Sequence, residues 1–370
     1  MNADVRVEAA SALPVLVRDP DELAALAPAW RDLAAATGAS YFATPDWVLS
    51  WTETLGTEAA GGRPVVAVWR GADGGPEAIV PLLDARQALH PRLPAGARCL
   101  TVLGSGAGAA DHCGFAVSPQ RADDVRAWFA AAARRHTLWL PNLDAETGAA
   151  FVPPGARLVE RTACPTMPAD PERIGSARFR KDLRHYGRRL AAEGVEFRFV
   201  GPTGVDEKLF DRLLDLHALR QAAIGRATTF DASRKAFHLA LMDRSGPGRG
   251  PCALVADGPD GPVGVLYGFL WGETFSYYQT GWDPSYARLS LGTVLVAETV
   301  AAVKAEGAAV FDFLRGAEEY KYRFGAVDRH DTTWLAGRGL SRVLLEGRVA
   351  AKAAQTRRAA HHRHEPVPER

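Results

Sequence analysis

The strongest constraint on the fold is an order of elements that occurs twice. Apolar patterning over 195–336 predicts a strand, two helices, three strands, a helix, a strand, a short helical segment and a closing strand. The strands are 195–201, CALVADG, PVGVLYGFLWG, TFSYYQTGWD, 309–316 and TTWLAG. The helices are 207–225, 231–243, 290–306 and 318–325. Residues 13–143 follow this order more loosely. There the pattern gives a strand at 13–18, helices over 21–36 and from Thr44-Pro45, strands at 64–70, 77–86 and 98–104, a helix at 119–135 and a strand at 138–143. Thr44 reads as a helix cap with proline in the first turn. The GADGG between 70 and 77 reads as a hairpin loop. Such alternation predicts an α/β fold: two related units in tandem, each a mixed sheet with helices on both faces.

A composition shift at PTMPADPERIG, 165–175, reads as a linker. It divides the chain into an N-terminal unit (1–165), a C-terminal unit (166–340) and a basic helix and tail (341–370). The helix after the linker is strongly basic. Between 173 and 189 it carries Arg173, Arg178, Arg180, Lys181, Arg184, Arg188 and Arg189 against Asp182. A solvated face accounts for it, and contact with an RNA backbone is the alternative. Aromatic side chains for base stacking are few there, Phe179 and Tyr186 alone.

Charge and cysteine usage exclude several classes. Lys and Arg number 44 against 43 Asp and Glu, so no global grip on DNA or an anionic membrane is implied. The four cysteines are widely spaced and form no CxxC pair, which argues against a disulfide framework or a zinc motif. His361, His362 and His364 have no carboxylate or cysteine at ligand spacing, so no metal is expected. The N-terminus has no apolar run of the signal-peptide kind. No stretch approaches the roughly 20 apolar residues of a membrane span. A cytoplasmic protein without membrane insertion is expected.

The segment 274–325 carries most of the chemistry. A strand ends at Gly281, and a helix begins at Ser290-Leu291-Gly292-Thr293. The first turn of a helix leaves backbone N–H groups unpaired, which suits an anion, above all phosphate. Gly292 permits close approach and Arg288 adds a cation. In the next strand, alternation sets Phe311 and Phe313 on one side and Asp312 and Leu314 on the other. A carboxylate in so apolar a strand is paired or functional; Arg315, Lys321 and Arg323 are the candidate structural partners. Glu318, Glu319, Tyr320, Lys321 and Tyr322 crowd the following turn. Asp111 and His112, in the N-terminal glycine-rich loop, read as at most the remnant of a site.

Three runs carry a resemblance: LHALR at 216–220, YYQTGWDPSYARLSLG at 277–292 and FDFLRGAEEYKYRFG at 311–325. With PAWRDLAAA…SYFATPDWVLSWTETLG and RFRKDLRHYGRRLAAEG, they make the chain resemble the GNAT acyltransferase superfamily over roughly 20–335. It is most similar to the acetyltransferase type first linked to cellulose biosynthesis (the CelD/BcsL type), a relative of the Fem aminoacyltransferases. The resemblance implies a tandem GNAT-like fold with a degenerate first unit and the acyl-donor pocket in the second. It implies acetyl-CoA or another acyl-CoA as co-substrate and a small-molecule amine as acceptor. Aminoacyl-tRNA, the donor of Fem-type relatives, is the alternative donor, and a non-catalytic scaffold is a further alternative.

Carried over by position, the resemblance sets the donor pyrophosphate against Arg288, Ser290, Leu291, Gly292 and Thr293. Leu291 and a single Gly292 replace the usual glycine-rich loop. Gln279, Thr280 and Gly281 lie on the strand that meets the thioester. Transfer to an amine needs orientation, a base and a proton for the departing thiolate. His217 is the candidate base, since imidazole titrates near neutrality. Asp312 is the alternative base or the holder of the substrate ammonium, and Tyr320 the candidate proton donor. Arg220, three residues after His217 on one helix face, is a candidate for a substrate carboxylate or phosphate. Tyr278, Glu319 and Lys321 complete the candidate substrate-binding residues.

Overall fold

The last strand of each half lies among the strands of the other. The computed structural model describes residues 13–56, 62–89, 96–106, 110–145, 148–223, 225 and 231–362, with side chains as far as residue 351. In chain order the elements are β1 (Val15–Val17), α1 (Pro20–Ala25), α2 (Ala27–Ala36), α3 (Pro45–Trp51), β2 (Arg63–Arg70), β3 (Pro76–Ala88), β4 (Gly96–Val102), β5 (Ala116–Val117), α4 (Ala122–Arg135), β6 (Leu138–Asp144) and β7 (Arg157–Pro168). Then come α5 (Ala177–Ala192), β8 (Glu196–Val200), α6 (Glu207–Ala223), α7 (Ala232–Asp243), β9 (Gly250–Gly258), β10 (Gly261–Trp271), β11 (Thr274–Trp282), α8 (Leu291–Ala305), β12 (Val310–Asp312), α9 (Glu319–Arg323), β13 (Val327–Ala336) and α10 (Leu340–His362). His364 lies outside the described residues.

The strands form one mixed sheet in the order β1-β2-β3-β4-β6-β13-β7-β12-β11-β10-β9-β8, with β5 beside β3. The two halves repeat one plan. β4 runs parallel to β6, with Leu100 opposite Leu138; β11 runs parallel to β12, with Thr274 opposite Val310. β6 then pairs with β13, and β12 pairs with β7. The boundary drawn at 165–166 therefore falls inside β7. Its residues cross into the second half, with Thr166 opposite both Asp312 and Val327. Residues 165–168 are strand rather than linker, despite their two prolines.

Period-two alternation explains how the sheet divides its faces. In β10, Val265, Tyr267 and Phe269 join the core shared with the N-terminal helices, while Leu266 and Leu270 turn to α5 and α8. α6 and α7 cover the first of these faces, so the shared core runs through both halves. Its densest part is aromatic: Trp47 of α3 meets Phe237 of α7 edge-on at 4.8 Å and Phe269 of β10 at 5.8 Å. Such pairs add roughly 0.5–1.5 kcal/mol each beyond their burial. They bind α3 to the second half.

Two predicted elements differ locally. The helix over 21–36 is broken into α1 and α2, because Pro28 has no N–H to continue the ladder. The strand over 309–316 ends at Asp312. There the Asp312 side chain accepts the Leu314 N–H at 2.7 Å, which replaces the sheet bond and turns the chain.

Candidate active site

β11 and β12 pair in parallel over three residues only, ending at Ser276 opposite Asp312. Beyond that point β11 continues to Trp282, while β12 turns away at Leu314, whose φ is 56°. A wedge opens between them. On its other edge β11 carries a bulge: Tyr267 faces Gln279 and Gly268 faces Tyr277, so Tyr278 is the extra residue. A bulge bends its strand, which here bends at the start of the wedge. Gly268 is required there, since a Cβ would sit 2.3 Å from the Ser276 carbonyl oxygen.

The predicted donor residues border this wedge. Thr280 donates to the Val265 carbonyl at 3.1 Å, and the Gln279 side chain accepts the Thr280 N–H at 2.9 Å. Gly281 lies against α6; a Cβ there would be 2.5 Å from the His217 nitrogen and 2.7 Å from the Leu213 oxygen. After a short 3-10 helix (Pro284–Leu289) holding exposed Arg288, Ser290 adopts the left-handed conformation at φ 55°. α8 begins there. Intrahelical bonding starts at Thr293, which donates to the Ser290 carbonyl at 2.9 Å. The Leu291 and Gly292 amides thus have no acceptor inside the helix. Gly292 allows Trp282 to lie against the helix start, where a Cβ would meet the indole nitrogen at 2.7 Å.

The predicted catalytic residues separate into two groups. Tyr320 is partly exposed and hydrogen-bonds to the buried hydroxyl of Tyr277; burial, then Tyr277, raises its pKa. Arg220 stacks over Trp282 at 5.6 Å and bears on both tyrosines. His217 is buried under β11, its Nδ1 3.3 Å from the Thr280 carbonyl. These residues gather around the end of β11. Glu319 is exposed on α9. Lys321 is a correction: its Nζ donates to the carbonyls of Leu314 (3.2 Å), Arg315 (3.1 Å) and Gly316 (2.9 Å) and pairs with Glu318 at 2.9 Å. With three N–H donors committed, it holds the 314–316 turn rather than a substrate.

Asp312 belongs to the second group, on the opposite face. Its partner is none of Arg315, Lys321 or Arg323 but His112 of the first half, whose Nε2 lies 2.9 Å from Oδ2. His112 Nδ1 is 2.7 Å from Asp331 Oδ1, and the His112 backbone N–H donates to Asp331 Oδ2 at 2.7 Å. Asp144 stands 3.9 Å from Nδ1 and pairs with Arg329. Asp111 pairs with Arg315. The imidazole is almost fully buried, which alone would lower its pKa; the carboxylates of Asp312 and Asp331 outweigh burial and raise it to about 10. His112 is therefore an imidazolium clamped between carboxylates from β12 and β13. Cys164 Sγ, His112 and Asp331 come within 4.8 Å of one another. The thiol is pushed up by burial and the imidazole is bonded to Asp331, so this set retains its own protons.

A cavity of about 470 Å³ opens beside this cluster, between the halves. Ser276 and Asp312, the last pair before the wedge, both line it. Non-glycine residues at positive φ among those described are His112, Asn142, Ser290 and Leu314. Three of them surround the cluster and Ser290 begins α8. Each such conformation costs about 1–3 kcal/mol, and such strain gathers at functional sites.

The comparisons with known proteins bear on the fold. Residues 177–322 match the family described as the acetyltransferase (GNAT) domain. The match lies in the second half of the chain and spans α5 to α9. No curated protein matches this chain in sequence. Among solved structures, it is similar to FemX at 10% identity and a TM-score of 0.60, over 89% of this chain and 98% of that one. It is also similar to L-PGS from Bacillus licheniformis, at 14% identity and a TM-score of 0.53, over 90% and 97%. A third is the C-terminal domain of a putative lysylphosphatidylglycerol synthetase from Agrobacterium fabrum, at 12% identity and a TM-score of 0.54, over 88% and 96%. At these identities the likeness is one of fold. Sequence reasoning missed His112, Asp144, Asp331 and Arg329 as a group. The one signal was an Asp-His pair in a glycine-rich loop.

Proposed function

We propose that this protein is an acyl-CoA-dependent N-acyltransferase of the CelD/BcsL type, acting on the amine of a small molecule. One observation carries the donor reading: β11 and β12 part after Ser276 and Asp312, with the Tyr278 bulge beside the opening and the unbonded amides of α8 at its end. The wedge admits an extended pantetheine arm. The Leu291 and Gly292 amides and Arg288 receive the pyrophosphate.

In the reaction the amine nitrogen bonds to the thioester carbonyl carbon and the carbon–sulfur bond breaks. The enzyme contributes mainly orientation of the two reactants. Asp312, in the last strand pair before the wedge and lining the cavity, holds the acceptor ammonium and takes its proton. Tyr320, held by Tyr277, supplies the proton to the departing thiolate. Arg220 steers a donor or acceptor anion from the rim.

A thermal-shift series with acetyl-CoA, free CoA, a longer acyl-CoA and ATP tests the donor. At a ligand concentration near 100 times Kd, binding stabilises by about 2.7 kcal/mol, a shift of several degrees. Shifts with the CoA compounds and none with ATP are expected. No shift with any of them overturns the reading.

A second reading, transfer from aminoacyl-tRNA, has one favourable observation. Arg178, Lys181, Arg184 and Arg188 of α5 are all exposed, on a helix packed against α8 and the turn holding Arg288. That reading requires tRNA binding that weakens steeply with salt.

A further inference from the structure

We propose that the cavity between the halves is a binding site for a small zwitterion, an α-amino acid or short peptide. Its carboxylate meets Arg329 and Tyr41, and its ammonium meets Asp312.

The argument begins with unsatisfied valence. Buried polar atoms in folded proteins are nearly always hydrogen-bonded, and an exception needs a cause. Four side-chain atoms buried without such a partner belong to residues lining this one cavity: Tyr41 Oη, His112 Nε2, Asp312 Oδ2 and Arg329 Nε. His112 Nε2 and Asp312 Oδ2 make an ion contact at 2.9 Å but not an aligned hydrogen bond. Tyr41 is 2% exposed, Asp312 1% and His112 3%. Tyr41 lines the cavity and stacks on Phe269 at 4.7 Å, which fixes its ring, and its buried hydroxyl has no hydrogen-bond partner.

The chemistry of these atoms describes the ligand. Arg329 Nε donates only, and Tyr41 Oη donates to an anion; together they suit a carboxylate. Asp312 Oδ2 accepts only, and suits an ammonium. The charged lining residues balance, with His112, Arg249 and Arg329 against Asp144, Glu273 and Asp312. A ligand of one sign would leave half of these groups opposed to it. A zwitterion leaves neither sign opposed. At about 470 Å³ the space is within the range of small-molecule sites and exceeds a single small amino acid.

The placement bears on the reaction. Asp312 and Ser276 are the last paired residues before the wedge. An ammonium held at Asp312 is therefore at the point where the donor arm would end. This part of the inference rests on the donor reading above; the binding site itself does not.

The test is calorimetry on the full chain with no acyl donor present. The probes are alanine, glutamate and glycylglycine. Each is matched by the amine lacking the carboxylate and by the N-acetyl derivative lacking the ammonium. At least one zwitterion is expected to bind, with its matched probes roughly tenfold weaker or worse, because each leaves buried polar groups unpaired. Tyr41→Phe is expected to weaken that binding about fivefold while the melting temperature holds or rises, since the lost hydroxyl had no partner. No binding of any zwitterion at about 10 mM, a bound of about 3 kcal/mol, overturns the proposal. So does binding that is indifferent to the N-acetyl group or to Tyr41→Phe. Zwitterion binding in a protein that ignores every CoA compound upholds this site and removes the donor reading alone.

Discussion

His112 Nε2 lies 2.9 Å from Asp312 Oδ2, and the two residues come from opposite halves of the chain. The contact exists because the closing strands are exchanged. β13 brings Asp331 beside β6, β7 brings the first half beside β12, and the 110–113 loop lies over the junction. One imidazolium thus joins three strands that no local sequence pattern brings together.

Removing that cation should be costly. His112→Ala leaves Asp312 and Asp331 buried at 1% exposure each without their shared partner. Breaking a buried ion pair from one side typically costs about 3–5 kcal/mol. Chemical denaturation of the variant against the parent measures it. A loss below about 1 kcal/mol would mean the cluster is held by Arg315 and Arg329 without the imidazole.

The same residue should shape the alkaline limb of stability. Its folded pKa is raised to about 10, against about 6.5 when unfolded. The folded state thus binds the extra proton. The stabilisation is full below about pH 6.5, declines above it, and is lost as pH rises through about 10. Urea midpoints between pH 6 and 10 should fall in the parent and fall less in His112→Gln. Equal slopes would assign the pH dependence to other groups, such as the tyrosines and cysteines that titrate nearby.

How much of this was legible in the sequence follows from how far apart the interacting residues are. The alternation Phe311, Asp312, Phe313, Leu314 is local, and the structure keeps it: both Phe side chains join the α5–α8 core and Leu314 the shared one. The order β8 to β13 was readable for the same reason, because periodicity and turn residues are short-range signals. The exchange of β7 and β13 was not, since register between distant strands leaves no local trace. The proline-rich stretch 165–168 read as a linker for that reason. The partner of Asp312 was sought among nearby cations, and the fold supplied a distant one. Lys321 shows the converse error: a charged residue in a promising turn is occupied by three backbone carbonyls.

Two glycines at the proposed donor site should respond differently to alanine. In Gly281→Ala the new methyl meets backbone atoms, the His217 nitrogen at 2.5 Å and the Leu213 oxygen at 2.7 Å. Neither moves without shifting α6 from β11, so a loss of about 1–3 kcal/mol or more is expected. In Gly292→Ala the nearest atoms belong to the Trp282 side chain. The indole can rotate, and alanine gains about 1 kcal/mol of helix propensity. Stability should change little, while CoA affinity should fall as the loop loses close approach. Thermal melts with and without CoA separate the two effects. A more stable Gly281→Ala would contradict the packing of α6 on β11.

Tyr320 provides the kinetic test of the wedge. Its hydroxyl is hydrogen-bonded to Tyr277, and burial followed by Tyr277 raises its pKa, so it remains protonated through the neutral range. A donor of this kind contributes on the order of 10²–10⁴ in rate. Once an acceptor is in hand, Tyr320→Phe should lower kcat by about that factor with the KM for acyl-CoA nearly unchanged, since the ring and its contact with Phe313 at 6.2 Å remain. Tyr277→Phe should have a smaller effect on kcat, because it removes only the residue that positions Tyr320. A rise in KM with kcat intact would make Tyr320 a donor-binding residue. In that case the thiolate would have to take its proton from water entering along the exposed face of α9.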